Sequence, residues 1–204
     1  MNQHIPDPIT KLEERANRKA TKREARKTEI AVSTLDALKQ LGYANTTLRD
    51  IAAQSGMSLG SLTYYFTDKA ELITYCVRIY KAEFIARVRG SVMQAKGRDA
   101  VIAALADELV RSMTEDLPTH RLWYDIRNQA IFEPAFRPVV AEIEAALVDT
   151  VADAMRAAGH EDTGTAAIGY ALLDGLFHYL MQNRGKETRD QLAGSFAVVL
   201  QRFF

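Results

Sequence analysis

The chain has 204 residues, 48% hydrophobic and 25% charged, and its 26 Lys and Arg balance 26 Asp and Glu. That length can bury a real core, the composition is that of an ordinary globular protein, and zero net charge argues against broad, non-specific coating of nucleic acid. No apolar run reaches the roughly 20 residues of a membrane span, and the N-terminus lacks an apolar signal core. Cys76 is the single cysteine, which excludes an intrachain disulfide. The expected location is the cytoplasm, with no membrane partner. The charge is unevenly spread, with 15 Lys and Arg against 10 Asp and Glu in residues 1–90 and 11 against 16 in the remainder. A basic front and an acidic rear put nucleic acid at the front.

In chain order, residues 1–8 hold two prolines and little apolar character, so disorder is expected. Thr10 and Glu13 are spaced as a capping box. Residues 11–27 hold eight basic and three acidic side chains, with Glu14 and Arg18 spaced for a helical ion pair. This segment reads either as a solvated extension of the first helix or as an arm on phosphates or in a minor groove. Ile30, Ala31, Thr34, Leu35, Leu38 and Leu41 then recur at helical spacing until Leu41-Gly42-Tyr43 closes the element.

Thr47 can cap the next helix, with Asp50 at its third position and Leu48, Ile51 and Ala52 on its apolar face. Gln54-Ser55-Gly56 ends it. Gly56 suits a left-handed turn, and Ser58 can cap a further short helix. When that helix is unwrapped at about 100° per residue, Leu62 and Phe66 form the buried stripe, with Gly60, Ser61 and Tyr64 opposite, Thr63 on the flank, and Leu59 and Tyr65 nearer the core edge. Two helices joined this tightly read as a helix-turn-helix. Ser61, Thr63 and Tyr64 are the candidates for base or phosphate contact. Thr47, Ser58, Tyr65 and Lys69 are expected mainly on phosphates, Arg49 on either, and Gly60 where another surface comes close. Asp68 and Glu71 can cap a long helix running to about residue 90, with Lys69 in its first turn and Ile73, Cys76, Val77, Tyr80, Phe84 and Val88 as its stripe. Cys76 on that face reads as a buried structural thiol.

Gly42-Tyr43, Thr47-Leu48-Arg49-Asp50-Ile51-Ala52, Gly56-Met57-Ser58, Leu62, Tyr64-Tyr65-Phe66 and Lys69 with Leu72, taken in this order, resemble the N-terminal domain of the tetracycline-repressor-like (TetR) family. Two positions depart from the pattern. Thr63 stands where tyrosine is frequent, and Leu59 where a basic residue is common. The resemblance implies an all-α homodimer of about nine helices per subunit, three of them in a DNA-binding head and the rest in a ligand-binding and dimerisation body. The domain limits expected on this basis are 1–20 for an arm or helix extension, 21–67 for the helix-turn-helix domain and 68–204 for the body.

The body reads as helices at 98–115, 118–131, 135–158, 163–183 and 188–203, punctuated by Pro118, Pro134 and the Gly159 region. The segment 120–136 is rich in mixed polar and aromatic side chains. Met113, Trp123, Tyr124 and Phe132 are the expected wall of an effector pocket, with His120, Arg127 and Asn128 as polar groups and Arg127 placed to meet an acidic ligand. Asp174 and His178, four apart, either satisfy each other or face that ligand. Helix 163–183 is apolar nearly all round. With the last helix it suits a four-helix dimer bundle built on Ile168, Leu172, Leu176, Tyr179, Leu192, Phe196 and Val199.

Enzyme readings find little support. His4, His120, His160 and His178 include no pair at helix-ligand spacing, the cysteine is isolated, and no phosphate-binding glycine loop with lysine occurs. His120, Asp125 and Glu133 specify neither a nucleophile nor a substrate. The expected function is a homodimeric regulator, no enzyme and without cofactor or metal. It would bind an inverted-repeat operator in double-stranded DNA and be released by a small-molecule effector. The alternative is a DNA-bound dimeric scaffold, or a regulator that a protein partner rather than a small molecule controls.

Overall fold

The computed structural model describes residues 8–41, 46–183, 185 and 187–204. The expected disorder of 1–7 and the closure at Gly42-Tyr43 fall outside the described residues, whereas the expected cap at Thr10 is not found, because the first helix already starts at Pro8 and runs through Thr10. Within them the fold is all-α, with nine helices and no strand. These are α1 (Pro8–Leu41), α2 (Leu48–Gln54), α3 (Leu59–Tyr65), α4 (Lys69–Gln94), α5 (Arg98–Glu115), α6 (Leu117–Phe132), α7 (Arg137–Ala157), α8 (Ala166–Gln182) and α9 (Arg189–Phe203), with a 3-10 turn at Pro134–Phe136 before α7. The chain divides into two compact units, Met1–Cys76 and Val77–Phe204. The division falls inside α4, whereas the expected domain limit at 67/68 lies just before that helix. α4 also passes residue 90 and ends at Gln94.

In the first unit, Ile30, Ala31, Leu35 and Leu38 of α1 close on Ile51 and Ala52 of α2, Leu62 of α3, and Phe66, Leu72, Ile73 and Cys76, all buried. Seven-residue helices are far too short to hold alone. Each large apolar side chain buried contributes roughly 1.5 to 3 kcal/mol, so tertiary packing fixes α2 and α3. Caps set their ends. The Thr47 hydroxyl accepts from the Asp50 N–H at 3.2 Å while the Thr47 N–H donates to Asp50 Oδ2 at 2.8 Å. The Ser58 hydroxyl accepts from the Ser61 N–H at 3.1 Å. Between the helices Gly56 sits at φ +63°, where its N–H and that of Met57 close the end of α2 onto Ala53 and Ala52 carbonyls. Gly56→Ala is expected to cost about 1 to 2 kcal/mol through backbone strain alone, since a Cβ there meets nothing within 4 Å. Denaturant melts of the head's signal check this, and an unchanged midpoint would mean that the turn relaxes.

In the second unit α5 packs along α9 and α7 along α8. Gly169 lets α8 lie close to its neighbours, because a Cβ there would stand 3.3 Å from the Phe203 ring and 3.4 Å from Val151. The start of α5 grips the end of α9. Arg98 donates to the Phe204 carbonyl at 2.5 Å and to the Gln201 carbonyl at 2.8 Å. A guanidinium suits a helix C-terminus, where orphan carbonyls concentrate negative charge. The body part of α4 is tied to α5 by Arg87, which donates to Glu108 at 3.1 Å, Ser112 at 3.1 Å and Asp116 at 2.8 Å.

Two expected dimer-face residues fall elsewhere. Leu192 and Phe196 are fully buried inside the subunit's own core with Leu200. On α8 and α9 the large apolar side chains that are exposed are Ile168, Leu172, Tyr179 and Val198, while Leu176 and Val199 are half-buried. Leu192, Phe196 and Leu200 form one buried stripe, covered by α5 and α8 of the same subunit.

Candidate functional site

The head presents a polar surface on a rigid base. With Leu62 and Phe66 buried, the outer side of α3 exposes Gly60, Ser61, Thr63 and Tyr64, the last at 66%, and Tyr65 is half-buried. Leu59 lies further out than expected, at 38% exposure, because it is the first residue of the helix and no turn precedes it. Thr47 and Arg49 are exposed at the start of α2, and Lys69 is half-buried at the start of α4. Several hydroxyls are pre-oriented. Thr63 Oγ1 donates back to the Leu59 carbonyl at 3.1 Å, Ser58 Oγ donates to Ser61 Oγ at 2.8 Å, and Thr47 Oγ1 donates to Asp50 Oδ2 at 2.6 Å. Tyr64 meets Tyr65 edge-on at 5.0 Å, which limits its ring.

Two carboxylates brace this surface. The Thr47 hydroxyl and N–H hold Asp50 below the usual carboxylate range. Burial pushes Glu71 up, but the Thr67 N–H, the Lys27 ammonium at 2.9 Å and the Thr67 hydroxyl outweigh it and bring the acid down to about 2. Asp68 caps α4 by accepting from the Glu71 N–H at 2.8 Å. In α1 the Glu14–Arg18 pair forms at 3.8 Å, fully on the surface. Cys76 is buried with its thiol on the Ala31 carbonyl, and burial pushes its pKa up, which suits a structural thiol.

The body holds a partly open cavity of about 80 Å³ whose apolar wall includes Phe84, Leu105, Leu147, Val151, Leu173 and Phe177. Of the expected effector residues, His120, Tyr124 and Asp174 line it. Arg127, Asn128 and His178, again with Tyr124 and Asp174, line a wider cleft outside it. Three expected residues line neither. Met113 and Trp123 are fully buried in the core, and Phe132, 82% exposed, stands at the solvent end of α6.

Asp174 and His178 do not pair. Asp174 accepts from the Tyr124 hydroxyl at 2.9 Å and from the Arg127 guanidinium, while His178 stacks on the Tyr124 ring at 4.3 Å and meets Gln182 at 3.1 Å. Arg127 also binds Glu144 at 2.6 Å, so it is spoken for twice and is not a free anchor for an acid. Burial, the Asp174 charge and the hydrogen bond to it keep the Tyr124 phenol protonated far above its ordinary range.

The sequence reading missed Lys81 and Tyr170, both of which line the cavity. Lys81 is 3% exposed and sits over the rings of Trp123, Phe84 and Tyr80 at 4.8, 5.1 and 5.5 Å. Burial, with the Arg127 charge in the same direction and Asp174 against it, brings its ammonium down to about 7. The signal was present: Lys81 falls in the apolar register of α4, four residues after Val77 and three before Phe84. Among the described residues no group of three or more His, Cys, Asp or Glu is placed to hold a metal ion, and no helix is long and apolar enough to cross a membrane.

Residues 30–76 match the family described as bacterial regulatory proteins, tetR family, and residues 96–202 match the tetracyclin repressor-like C-terminal domain. The HTH-type transcriptional regulator PksA of Bacillus subtilis (strain 168) is 22% identical over 183 residues, spanning 83% of this chain and 85% of that protein. The HTH-type transcriptional regulator BetI of Burkholderia thailandensis is 28% identical over 120 residues, 56% of this chain and 60% of that one. Among solved structures, a transcriptional regulator from Rhodococcus sp. Rha1 shares the fold with a TM-score of 0.72 at 16% identity, covering 86% of this chain and 94% of that one. The multidrug binding protein EbrR, solved with imidazole, does so with a TM-score of 0.64 at 24% identity, covering 85% and 94%.

Proposed function

From the premise that this chain belongs to the TetR family of bacterial regulatory proteins, and is thus a transcriptional regulator with a helix-turn-helix head, we propose that it is a homodimeric repressor released by a small molecule. The observation that carries the reading is the outer face of α3. It is small, hydrogen-bonding and exposed, on a helix whose other side is locked by Leu62 and Phe66. Such a face fits a major groove, and a two-fold dimer would place two copies on an inverted repeat about one helical turn apart. Ser61, Thr63 and Tyr64 then meet base edges or phosphates, and Leu59, exposed beside them, offers an apolar contact to a thymine methyl. No guanidinium stands on α3, so guanine readout through this helix is weak. Thr47, Ser58, Tyr65 and Lys69 position the head on phosphates, and Arg49 serves either purpose.

The exposed stripe of Ile168, Leu172 and Tyr179 with Val198 supports the dimer, since a two-fold axis beside α8 and α9 would cover it. The cavity supports a small molecule over a protein partner as the controlling input, and EbrR, which shares the fold, has been solved with imidazole, proflavin and ethidium. Release follows if the effector prefers a spacing of the two heads that misses the paired grooves; a ligand with equal affinity for both states changes nothing. Selection of bound fragments from the DNA flanking its own gene tests the reading, with enrichment of one palindrome expected and no enrichment overturning it. Tyr64→Ala is expected to weaken operator binding about tenfold, a loss of about 1.4 kcal/mol, with the dimer intact by sedimentation. Unchanged affinity would move the reading face away from Tyr64.

A further inference from the structure

We propose that the body's cavity takes a compact apolar molecule ending in a carboxylate, with the acid end held by Lys81, His120 and Tyr170. The inference rests on reading the body as the effector-binding unit and names the chemistry of what it binds. Its basis is a cluster of unmet donors. Lys81 is buried, and among the described residues neither a hydrogen bond nor an ion pair reaches its ammonium; three ring faces stand over it. His120 is 3% exposed and packed edge-on against Tyr80 and Phe84 at 5.4 and 5.3 Å, and its Nε2 is buried without a partner. The Tyr170 hydroxyl is likewise buried and unpartnered. All three residues line the same cavity.

The complement of this cluster is set by what the groups can do. An ammonium has three N–H donors and no acceptor, a phenol donates beside it, and His120 adds a donor in its Nε2–H tautomer, so the missing partner is an acceptor with several lone pairs. Aromatic faces ease a buried cation but accept no ordinary hydrogen bond. A full charge taken out of water calls for an opposite one. The protein's own candidate is engaged elsewhere: Asp174 gives one oxygen to Tyr124 and the other to Arg127. The same engagement disfavours a cationic ligand, which would meet Lys81 and find no free carboxylate. The remaining wall is aliphatic and aromatic, and about 80 Å³ admits a body of roughly one ring or a short alkyl chain.

Calorimetric titration of the whole protein without DNA, at about pH 6.5 so that benzoate is ionised, tests the assignment with benzoate, benzamide and benzylamine as probes. Benzoate is expected to bind at least tenfold more tightly than benzamide, with benzylamine weaker still. In Lys81→Met the advantage of benzoate should fall to within about twofold, and Tyr170→Phe should reduce it about threefold while leaving the thermal melt unchanged. Equal or tighter binding of benzamide or benzylamine, binding of none of the three, or retained selectivity in Lys81→Met would each overturn the assignment. If benzylamine binds and releases operator DNA, the acid assignment fails while the effector reading stands. If benzoate binds selectively and operator affinity does not move, the assignment stands and the effector reading fails.

Discussion

Lys81→Met is expected to make the protein more stable at pH 6 by on the order of 3 kcal/mol, about 5 to 10 °C in melting temperature. A lysine brought from 10.5 to about 7 carries an electrostatic cost on the order of 5 kcal/mol while it is charged, and contacts with three ring faces return about 1 to 2 of this. Methionine keeps the stem's packing and drops the charge. The sign with pH follows from the lowered value. Between pH 7 and 10.5 the unfolded chain holds a proton that the folded one has released, so folding gains as pH rises. The gap between mutant and wild type is therefore full below pH 7 and closes at about 1.4 kcal/mol per unit, vanishing at about pH 9. Paired melts across this range check it. A gap that is absent at pH 6, or that widens above pH 7, would mean that Lys81 is solvated in the folded state.

Arg87→Met acts in the opposite direction, with an expected loss of about 2 to 3 kcal/mol from the body. Glu108 is almost entirely buried, and Arg87 is its nearest cation, at 3.1 Å, while also holding Ser112 and Asp116. Breaking a fully buried pair typically costs 3 to 5 kcal/mol. Here the lower figure applies, because Arg87 is about a quarter exposed and because Ser91 at 2.8 Å and Arg111 at 3.6 Å still face Glu108. The diagnostic is the double variant. Adding Glu108→Gln should restore more than half of the loss, since the stranded charge goes with its partner. If the double variant is simply additive, the two side chains are uncoupled and Glu108 is compensated by other groups.

The head was legible because its constraints are local. A stripe four residues apart fixes which side of α3 is buried, Thr47 with Asp50 and Ser58 with Ser61 fix the helix starts, and Gly56 fixes the turn between them. The body was legible as helices and much less so as a site. Asp174 was read against its nearest polar neighbour on the same helix, whereas its partners lie 47 and 50 residues away on α6. The stripe of α9 showed that a face is buried and nothing about which surface buries it, so Leu192 and Phe196 were assigned to a partner subunit when α5 and α8 already cover them. Met113 and Trp123 have the size and apolarity of a pocket wall, but core residues share those properties, and both are core. Lys81 escaped notice for the converse reason: a lysine within an apolar register reads as an interruption of the stripe until the fold closes around it.

The braces of the head give it an acid range of its own. Glu71 is held at about 2 and Asp50 also below its ordinary value, so what they contribute to folding is complete above about pH 4.5 and lost only as the medium falls toward pH 2. Lys81 changes charge near neutrality instead. A drift of one unit around pH 7 therefore leaves these braces of the head charged and alters the charge of Lys81 in the interior of the body. The carboxylates of the head and the lysine of the body thus answer to acidity in separate ranges, and only the second includes neutrality.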